Sequence, residues 1–400
     1  MPSKLRQLLP YGIVVFLGYI GFSLPLPVLP EMFLNSDRSI LPTASAAVRT
    51  ICLGLVLAAY PSGQLIGSSL LGLLSDRWGR RKVLLFSLIS TAVGYGVTAI
   101  AIALLSPLGI FGGLFLSGLA EGNVAIAQAV IGDISEKAEK VSHFGWINLC
   151  ACVAFIIGPL LGGLLVDPKN SSLFSFSTPF WVGSLMALSA FLLMWKFSVE
   201  TKKPLEQPVT LSQRFKENWS NLPLRRSYFA NFLLYFGVYS FWTCVPIFLE
   251  RTFNFASSNL AYVMAYESFF FAVGLFLLVR PLATKAKPFR LTGWAGSIFA
   301  LLLLIIMIPA TPLGLFWTIP PIGMILALLM TNAAVMVSNA AGEHLQGQAM
   351  GTLQSVQVSA GMLVGVLGGL MAALKPGLPL FAGALMAGIG GYLLLKKERF

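Results

Sequence analysis

Gly72-Leu73-Leu74-Ser75-Asp76-Arg77-Trp78-Gly79-Arg80-Arg81-Lys82 is a short basic stretch set between two apolar runs, 51–74 and 83–104. Glycine at 79 allows a tight turn between two helices. Asp76 falls at a helix end, where it can accept hydrogen bonds from backbone or guanidinium groups. Arg77, Arg80, Arg81 and Lys82 place four positive charges in the loop, on both sides of that glycine. Two apolar helices joined by such a loop read as a pair of membrane spans with the loop on the inner side.

The rest of the chain repeats this arrangement. Its 400 residues are 56% hydrophobic and only 10% charged, with a mean hydropathy of +0.82. A soluble domain is about 25% charged, so this composition excludes a soluble enzyme, a disordered chain and a nucleic-acid binder. A helical span needs about 20 apolar residues. Twelve such runs are expected, near 10–30, 51–74, 83–104, 108–131, 144–166, 179–198, 227–249, 258–279, 291–309, 313–337, 348–373 and 377–395. Barrel strands would be about ten residues with strict alternation. Leu301-Leu302-Leu303-Leu304-Ile305-Ile306 does not alternate, so the spans are helices. The expected fold is an all-α polytopic membrane protein of twelve transmembrane helices in two six-helix halves. The amino-terminal run is read as a retained first span, since no Ala-x-Ala cleavage site follows it.

The net charge of +12 finds its explanation in topology. With both termini inside, 22 of the 27 basic residues fall on the inner side, leaving only Arg38, Arg49, Lys169, Arg251 and Lys375 outside. The positive-inside rule accounts for that asymmetry, and no nucleic-acid partner is needed. One long polar stretch, 201–226, divides the chain into an N-terminal half, 1–200, and a C-terminal half, 227–400, as in transporters built from internal repeats. Within it, 211–219 is either an amphipathic surface helix or part of a solvated linker. Four cysteines lie in spans, and Cys150 and Cys152 point to different helix faces. No metal-ligand cluster is visible, and no metal or other cofactor is expected.

The Gly-x-x-x-Asp-Arg-x-Gly-Arg-Arg spacing of Gly72, Asp76, Arg77, Gly79, Arg80 and Arg81 resembles the signature of the major facilitator superfamily. The resemblance implies that this loop clamps the inner helix ends in the outward-open state. Asp76 would face the start of span 11, and Arg80 an acid below span 4, for which Asp133 is placed. The matching loop of the second half, 280–290, keeps the charge but not the pattern. In span 5, Gly158-Pro159-Leu160-Leu161-Gly162-Gly163 combines a proline that loosens a helix with glycines that admit another helix closely. It resembles the span 5 motif of antiporters in that superfamily. Pro27-Val28-Leu29-Pro30, Gly132-Asp133-Ile134-Ser135, His143-Phe144-Gly145 and Gln346-Gly347-Gln348 extend the similarity to the tetracycline and multidrug proton antiporters. Two departures stand out: those antiporters commonly carry an acid where Gly18 stands and an arginine where Leu114 stands.

Among 15 acidic residues, Glu121 in span 4 and Glu267 in span 8 alone fall within spans. A charge at a helix centre costs about 2.5–3.5 kcal/mol on insertion scales. Each is therefore either a proton-coupling or substrate group, or a structural hydrogen-bonding group. Glu121 shares an expected face with Gly118, Ala125, Gln128 and Gly132 at helical spacing. Tyr266, Phe269 and Phe270 surround Glu267 in sequence. Asn231, Tyr235, Tyr239 and Trp242 recur on one face of span 7, either as a substrate surface or as an aromatic packing face. Gln354 and Gln357 are further cavity candidates, with Gln64, Asn148 and Asn332.

The expected function is secondary active export of a small amphipathic organic compound in exchange for protons, by alternating access. The proton gradient supplies the energy. The expected partners are the substrate, protons and lipid, for a monomer in the inner membrane with both termini cytoplasmic. The alternative is a metabolite or siderophore carrier of the same fold, importing or exporting, with or without proton coupling. No nucleophile–base pair or phosphate-binding Gly-x-x-x-x-Gly-Lys loop occurs, so neither an enzyme nor an ATP pump is expected.

Overall fold

A computed structural model describes residues 2–134, 140–198, 200, 222–283 and 285–396. Residues 201–221, which hold most of the linker and all of 211–219, lie outside the described residues, as do the side chains of Asp76, Asp133 and Asn148. Among the described residues, helices are the only regular structure.

Eleven helical runs are long and apolar enough to cross a membrane, and Leu149–Leu164 is a twelfth, shorter apolar helix. In chain order the spans are Leu8–Leu34, Ala46–Gly72, Arg80–Ala103, Pro107–Gln128, Leu149–Leu164, Thr178–Phe197, Leu222–Phe253, Ser257–Leu282, Pro288–Ile305, Pro312–Ala341, Ala349–Leu374 and Leu378–Lys396. Hydropathy thus locates every span to within a few residues. Large apolar side chains such as Phe86, Leu185, Leu192, Trp195 and Phe381 point outward. In water they would form a large adhesive surface, and in hydrocarbon they cost nothing.

Several spans are interrupted, and each interruption has a local cause. Span 1 turns at Leu24, between helices Pro2–Ser23 and Pro25–Leu34; Pro25 and Pro27 bring no N–H to continue the ladder. Span 4 breaks at Ala120 and Glu121, between Pro107–Leu119 and Gly122–Ile134. Spans 7 and 8 each contain a π-helical turn, Ser240–Cys244 and Leu275–Val279. Such turns shift the side-chain register and often mark functional segments. Spans 10 and 11 lie within one helical run, Leu315–Leu374.

The described contacts divide the chain into two compact units. The first comprises Met1–Ala44, Leu55–Pro208 and Ala256–Tyr262, and the second Ser45–Gly54, Val209–Phe255 and Val263–Phe400. The first has a buried core of Val14, Val15, Leu84, Leu88, Ile131 and Met194. The second packs Leu224, Tyr228, Val337 and Leu353 together, and the Tyr228 hydroxyl donates to the Ala349 carbonyl at 3.3 Å.

One close approach inside the first unit positions the site. A Cβ at Gly118 would collide with the Tyr60 carbonyl, and one at Gly63 with the Phe115 carbonyl. Spans 2 and 4 therefore touch backbone to backbone, as small residues permit in membranes. Gly118→Val is expected to destabilise the protein by about 1–3 kcal/mol through overpacking. Gly112→Ala, on the same helix with nothing within 4 Å of its Cβ, should leave the unfolding midpoint in detergent unchanged.

Candidate functional site

Glu121 sits at the break in span 4 and is 8% exposed. The backbone there tightens into i to i+3 bonds: Glu121 N–H donates to the Gly118 carbonyl at 3.0 Å, and Val124 N–H to the Glu121 carbonyl at 3.3 Å. The stripe expected from Gly118 through Gln128 assumed one continuous helix. The break removes that register, and Gly118 packs on Tyr60 instead of lining a face with Glu121. Gln128 lies one helix further along, half-buried.

The surroundings of the Glu121 carboxyl are phenolic. The Tyr60 hydroxyl of span 2 donates to Glu121 Oε2. Tyr19 of span 1 and Tyr95 of span 3 interact with it electrostatically. Among the described residues no Lys or Arg pairs with it. Span 1 makes the space: a Cβ at Gly18 would collide with Val124 and lie 3.4 Å from Glu121 Oε1 and 3.5 Å from Asn123 Oδ1, and one at Gly21 would collide with the Tyr95 hydroxyl and lie 3.0 Å from the Tyr60 hydroxyl. Asn123 Oδ1 and the Tyr95 hydroxyl are buried without a hydrogen-bond partner among the described residues. Phe22 and Phe155 flank the group, with ring centroids 6.4 Å apart. An acid, three phenols, an amide oxygen and two phenyl rings thus meet in one buried volume. Chemically, it can hold and release a proton, and it offers acceptors to a hydrogen-bond donor.

In the second unit, Glu267 is 5% exposed. Its Oε2 accepts from the Ser268 hydroxyl at 3.3 Å, and its Oε1 is buried without a partner among the described residues. The neighbouring aromatics do not all cover it as the sequence suggested. Phe269 is 55% exposed, while Tyr266 stacks edge-on with Phe270 and Phe316 and donates to the Phe316 carbonyl at 3.3 Å. On span 7, Tyr235, Tyr239 and Trp242 do come together. Their consecutive ring centroids are 6.5 and 5.9 Å apart, the second pair T-shaped at 89°. The π-helical turn starts just after Tyr239, so the stack crosses the change of register. Asn231 is fully buried and donates back to the Ser227 carbonyl at 2.9 Å. Gln354 is exposed and Gln357 half-buried.

The basic loop is built around an acid absent from the sequence expectation. Gly79 adopts φ +93°, a left-handed conformation that favours glycine. The Glu200 carboxylate then accepts the backbone N–H groups of Arg80 at 2.8 Å and Arg81 at 3.1 Å, capping the N-terminus of span 3. That placement suits a negative charge. Arg81 completes the join, donating to Ser198 Oγ at 3.1 Å and to the Trp195 carbonyl at 2.7 Å. Arg77 is exposed and Gly72 has open space at its Cβ. The expected pairings of Asp76 and Asp133 fall on side chains outside the described residues. In span 5, Gly158 packs on Ser23 and Gly162 on the Leu24 carbonyl, while Gly163 packs on Ser257 and Ala261. Pro159 lies inside the uninterrupted helix Lys140–Leu164, and Gly158, Gly162 and Gly163 form a close-packing surface on it.

Two further buried acids escaped the sequence reading, Glu31 and, at the end of span 7, Glu250, which is 6% exposed. Glu31 follows Pro30, just past the expected end of span 1, yet it is only 3% exposed. Arg38 Nη1 pairs with its Oε1 at 2.7 Å, and the Ser257 N–H donates to its Oε2 at 2.6 Å. Arg38 also lies over the Phe176 ring, 4.4 Å from the centroid. In the second unit, Arg251 at the end of span 7 donates to Thr50 Oγ1 at 2.5 Å and to the Ala46 carbonyl at 2.9 Å. Tyr60 was missed as well, though a tyrosine beside Pro61 and Gly63 in a span was its visible signal.

The family described as the Major Facilitator Superfamily matches residues 11–366. The chain is 26% identical over 363 residues to the class B tetracycline resistance protein of Escherichia coli, covering 88% of this chain and 84% of that one. It is 27% identical over 406 residues to multidrug resistance protein 2 of Bacillus subtilis, covering 96% and 94%. Among solved structures, a bacterial homologue of the human lysosomal transporter Spinster, inward-facing and unoccupied, superposes with a TM-score of 0.79 at 13% identity, covering 100% of this chain and 98% of that one.

Proposed function

The chain belongs to the major facilitator superfamily, and from that premise we propose that it exports a small amphipathic organic compound in exchange for protons. Its transporter class is given by the family and its relatives, and none of these is an enzyme. The observation that carries the finer reading is Glu121: a carboxyl buried at a broken helix, bonded to a phenol and paired with no cation among the described residues. An ionisable group kept at that expense inside a span is a functional site by default, and broken helices are where secondary transporters build their sites. The names of the two relatives, tetracycline and multidrug resistance, support an organic drug-like cargo. The Tyr235–Tyr239–Trp242 stack offers such a cargo aromatic faces.

In this reading the two six-helix halves, 1–200 and 227–400, joined by the linker 201–226, rock about a midplane site. Protonation of Glu121, with Glu267 as a second acid, alternates with binding of the compound. Asp76, Arg77, Arg80 and Asp133 form part of the gate. The protein acts as a monomer in the cytoplasmic membrane, with both termini inside, driven by the proton gradient and without a cofactor.

The test is a full-length preparation in liposomes holding a pH dye under an imposed proton gradient. Tetracycline, tetraphenylphosphonium and a hydroxamate siderophore serve as probes. Proton movement triggered by tetracycline or tetraphenylphosphonium is expected. Probe transport with no proton movement would overturn antiport, and triggering by the siderophore alone would favour the carrier alternative.

A further inference from the structure

We propose that Tyr60 is the positioning residue of the coupling carboxyl, and that its one phenolic proton alternates between Glu121 and the Gly18 carbonyl. This rests on Glu121 as the coupling group. A phenol has one proton to donate and lone pairs to accept. The Tyr60 hydroxyl lies between two acceptors on two different spans: Glu121 Oε2 of span 4 and, at 3.5 Å, the backbone carbonyl of Gly18 on span 1. It cannot donate to both.

Charge on the acid decides between them. When Glu121 is ionised it is the stronger acceptor, and the phenol donates to it. When Glu121 takes up a proton, its own O–H can donate to the phenolic oxygen. The phenolic proton is then released to the Gly18 carbonyl. One proton enters at Glu121, no bond to carbon changes, one hydrogen bond reverses direction, and the phenol's own donation passes to the Gly18 carbonyl. Protonation of an acid on span 4 is thereby felt by the backbone of span 1, through a side chain of span 2.

The packing leaves the phenol little other freedom. The backbone at residue 60 is pressed against Gly118, its ring meets Phe22 with centroids 6.3 Å apart, and Tyr60 is 5% exposed. The hydroxyl rotates while the ring stays put. The ionisable groups that face Glu121 are Tyr19 from span 1, Tyr60 from span 2 and Tyr95 from span 3; Cys152 of span 5 interacts with Tyr19 behind them. Of the three phenols, Tyr60 alone has a hydrogen bond to the carboxyl among the described residues.

The experiment is pH-difference infrared spectroscopy on the full-length protein in liposomes, unlabelled and with ring-deuterated tyrosine. A protonated-carboxyl band that is lost in Glu121→Gln identifies the acid. A tyrosine band should respond at the same pH in the wild type and should vanish in both Glu121→Gln and Tyr60→Phe. In Tyr60→Phe the carboxyl band should move to higher frequency, as an acid O–H without its acceptor. Tetracycline-triggered proton flux should fall about tenfold, the scale of losing a hydrogen bond to a charged group. A tyrosine band indifferent to protonation of Glu121 overturns the proposal, and the wild-type spectrum alone delivers that result if Tyr60→Phe does not fold. A carboxyl band unchanged in Tyr60→Phe overturns it too. Full proton flux in Glu121→Gln is a different failure, because it removes Glu121 from coupling altogether.

Discussion

Glu121→Gln is expected to reduce probe-triggered proton flux in liposomes to the level of protein-free vesicles. The substitution keeps the shape of the side chain and an oxygen for the Tyr60 hydroxyl, so folding and probe binding should survive. What it removes is the only function glutamine cannot supply, the uptake and release of a proton. The buried setting sharpens the contrast. Outside a membrane an exposed glutamate would be replaceable, but at a helix break among phenols no neighbouring carboxyl is in reach among the described residues. Glu267→Gln is the matched comparison. If that variant is silent and Glu121→Gln retains flux, coupling belongs to span 8. Probe binding, followed by the rise in thermal midpoint that a ligand of the native state produces, separates loss of coupling from loss of the site.

Arg38→Met is expected to cost about 3 kcal/mol of stability, near the low end for removing one partner of a buried ion pair. Glu31 is almost fully buried while Arg38 is about one-third exposed, with side-chain exposures of 4% and 35%. Without the guanidinium, the carboxylate keeps only the Ser257 N–H among the described residues and must be neutralised or hydrated. Methionine preserves much of the contact with Phe176, which isolates the charge. Glu31→Gln should cost less, and the double variant should regain most of what Arg38→Met loses, as coupled neighbours do. Thermal unfolding in detergent reads all three. Equal losses for Arg38→Met and the double variant would show that packing, not charge, matters at this site.

Hydropathy made the fold legible because lipid imposes one simple rule: about 20 apolar residues per helix. Twelve spans follow from that rule, and the structure finds helices at every one. The tight turn at Gly79 was legible too, because glycine tolerates the positive φ found there, while the clamp pairings expected of that loop fall on side chains outside the described residues. The site was legible only in part. Glu121 stood out as a charge where charge is costly. Its partners did not, because Tyr19, Tyr60 and Tyr95 come from three other spans and no sequence spacing relates them. The break at Ala120 was invisible to a periodicity argument that presupposed a continuous helix. Glu31 and Glu200 were passed over for the opposite reason. Both lie near span ends, where an acid is ordinarily solvated, and only the fold reveals that one is buried beneath Arg38 and the other caps span 3.

The exchanged segments limit how the gene can be divided. Seven residues from the C-terminal half of the sequence, Ala256–Tyr262, complete the first contact unit, and ten from the N-terminal half, Ser45–Gly54, complete the second. A chain cut within 201–221 would yield two fragments, each lacking a piece of its own scaffold. The first would present Glu31 without its Ser257 donor, and the second would present Arg251 without Thr50. Expressed singly, each fragment should be degraded. Expressed together they should accumulate and co-purify, because each completes the other.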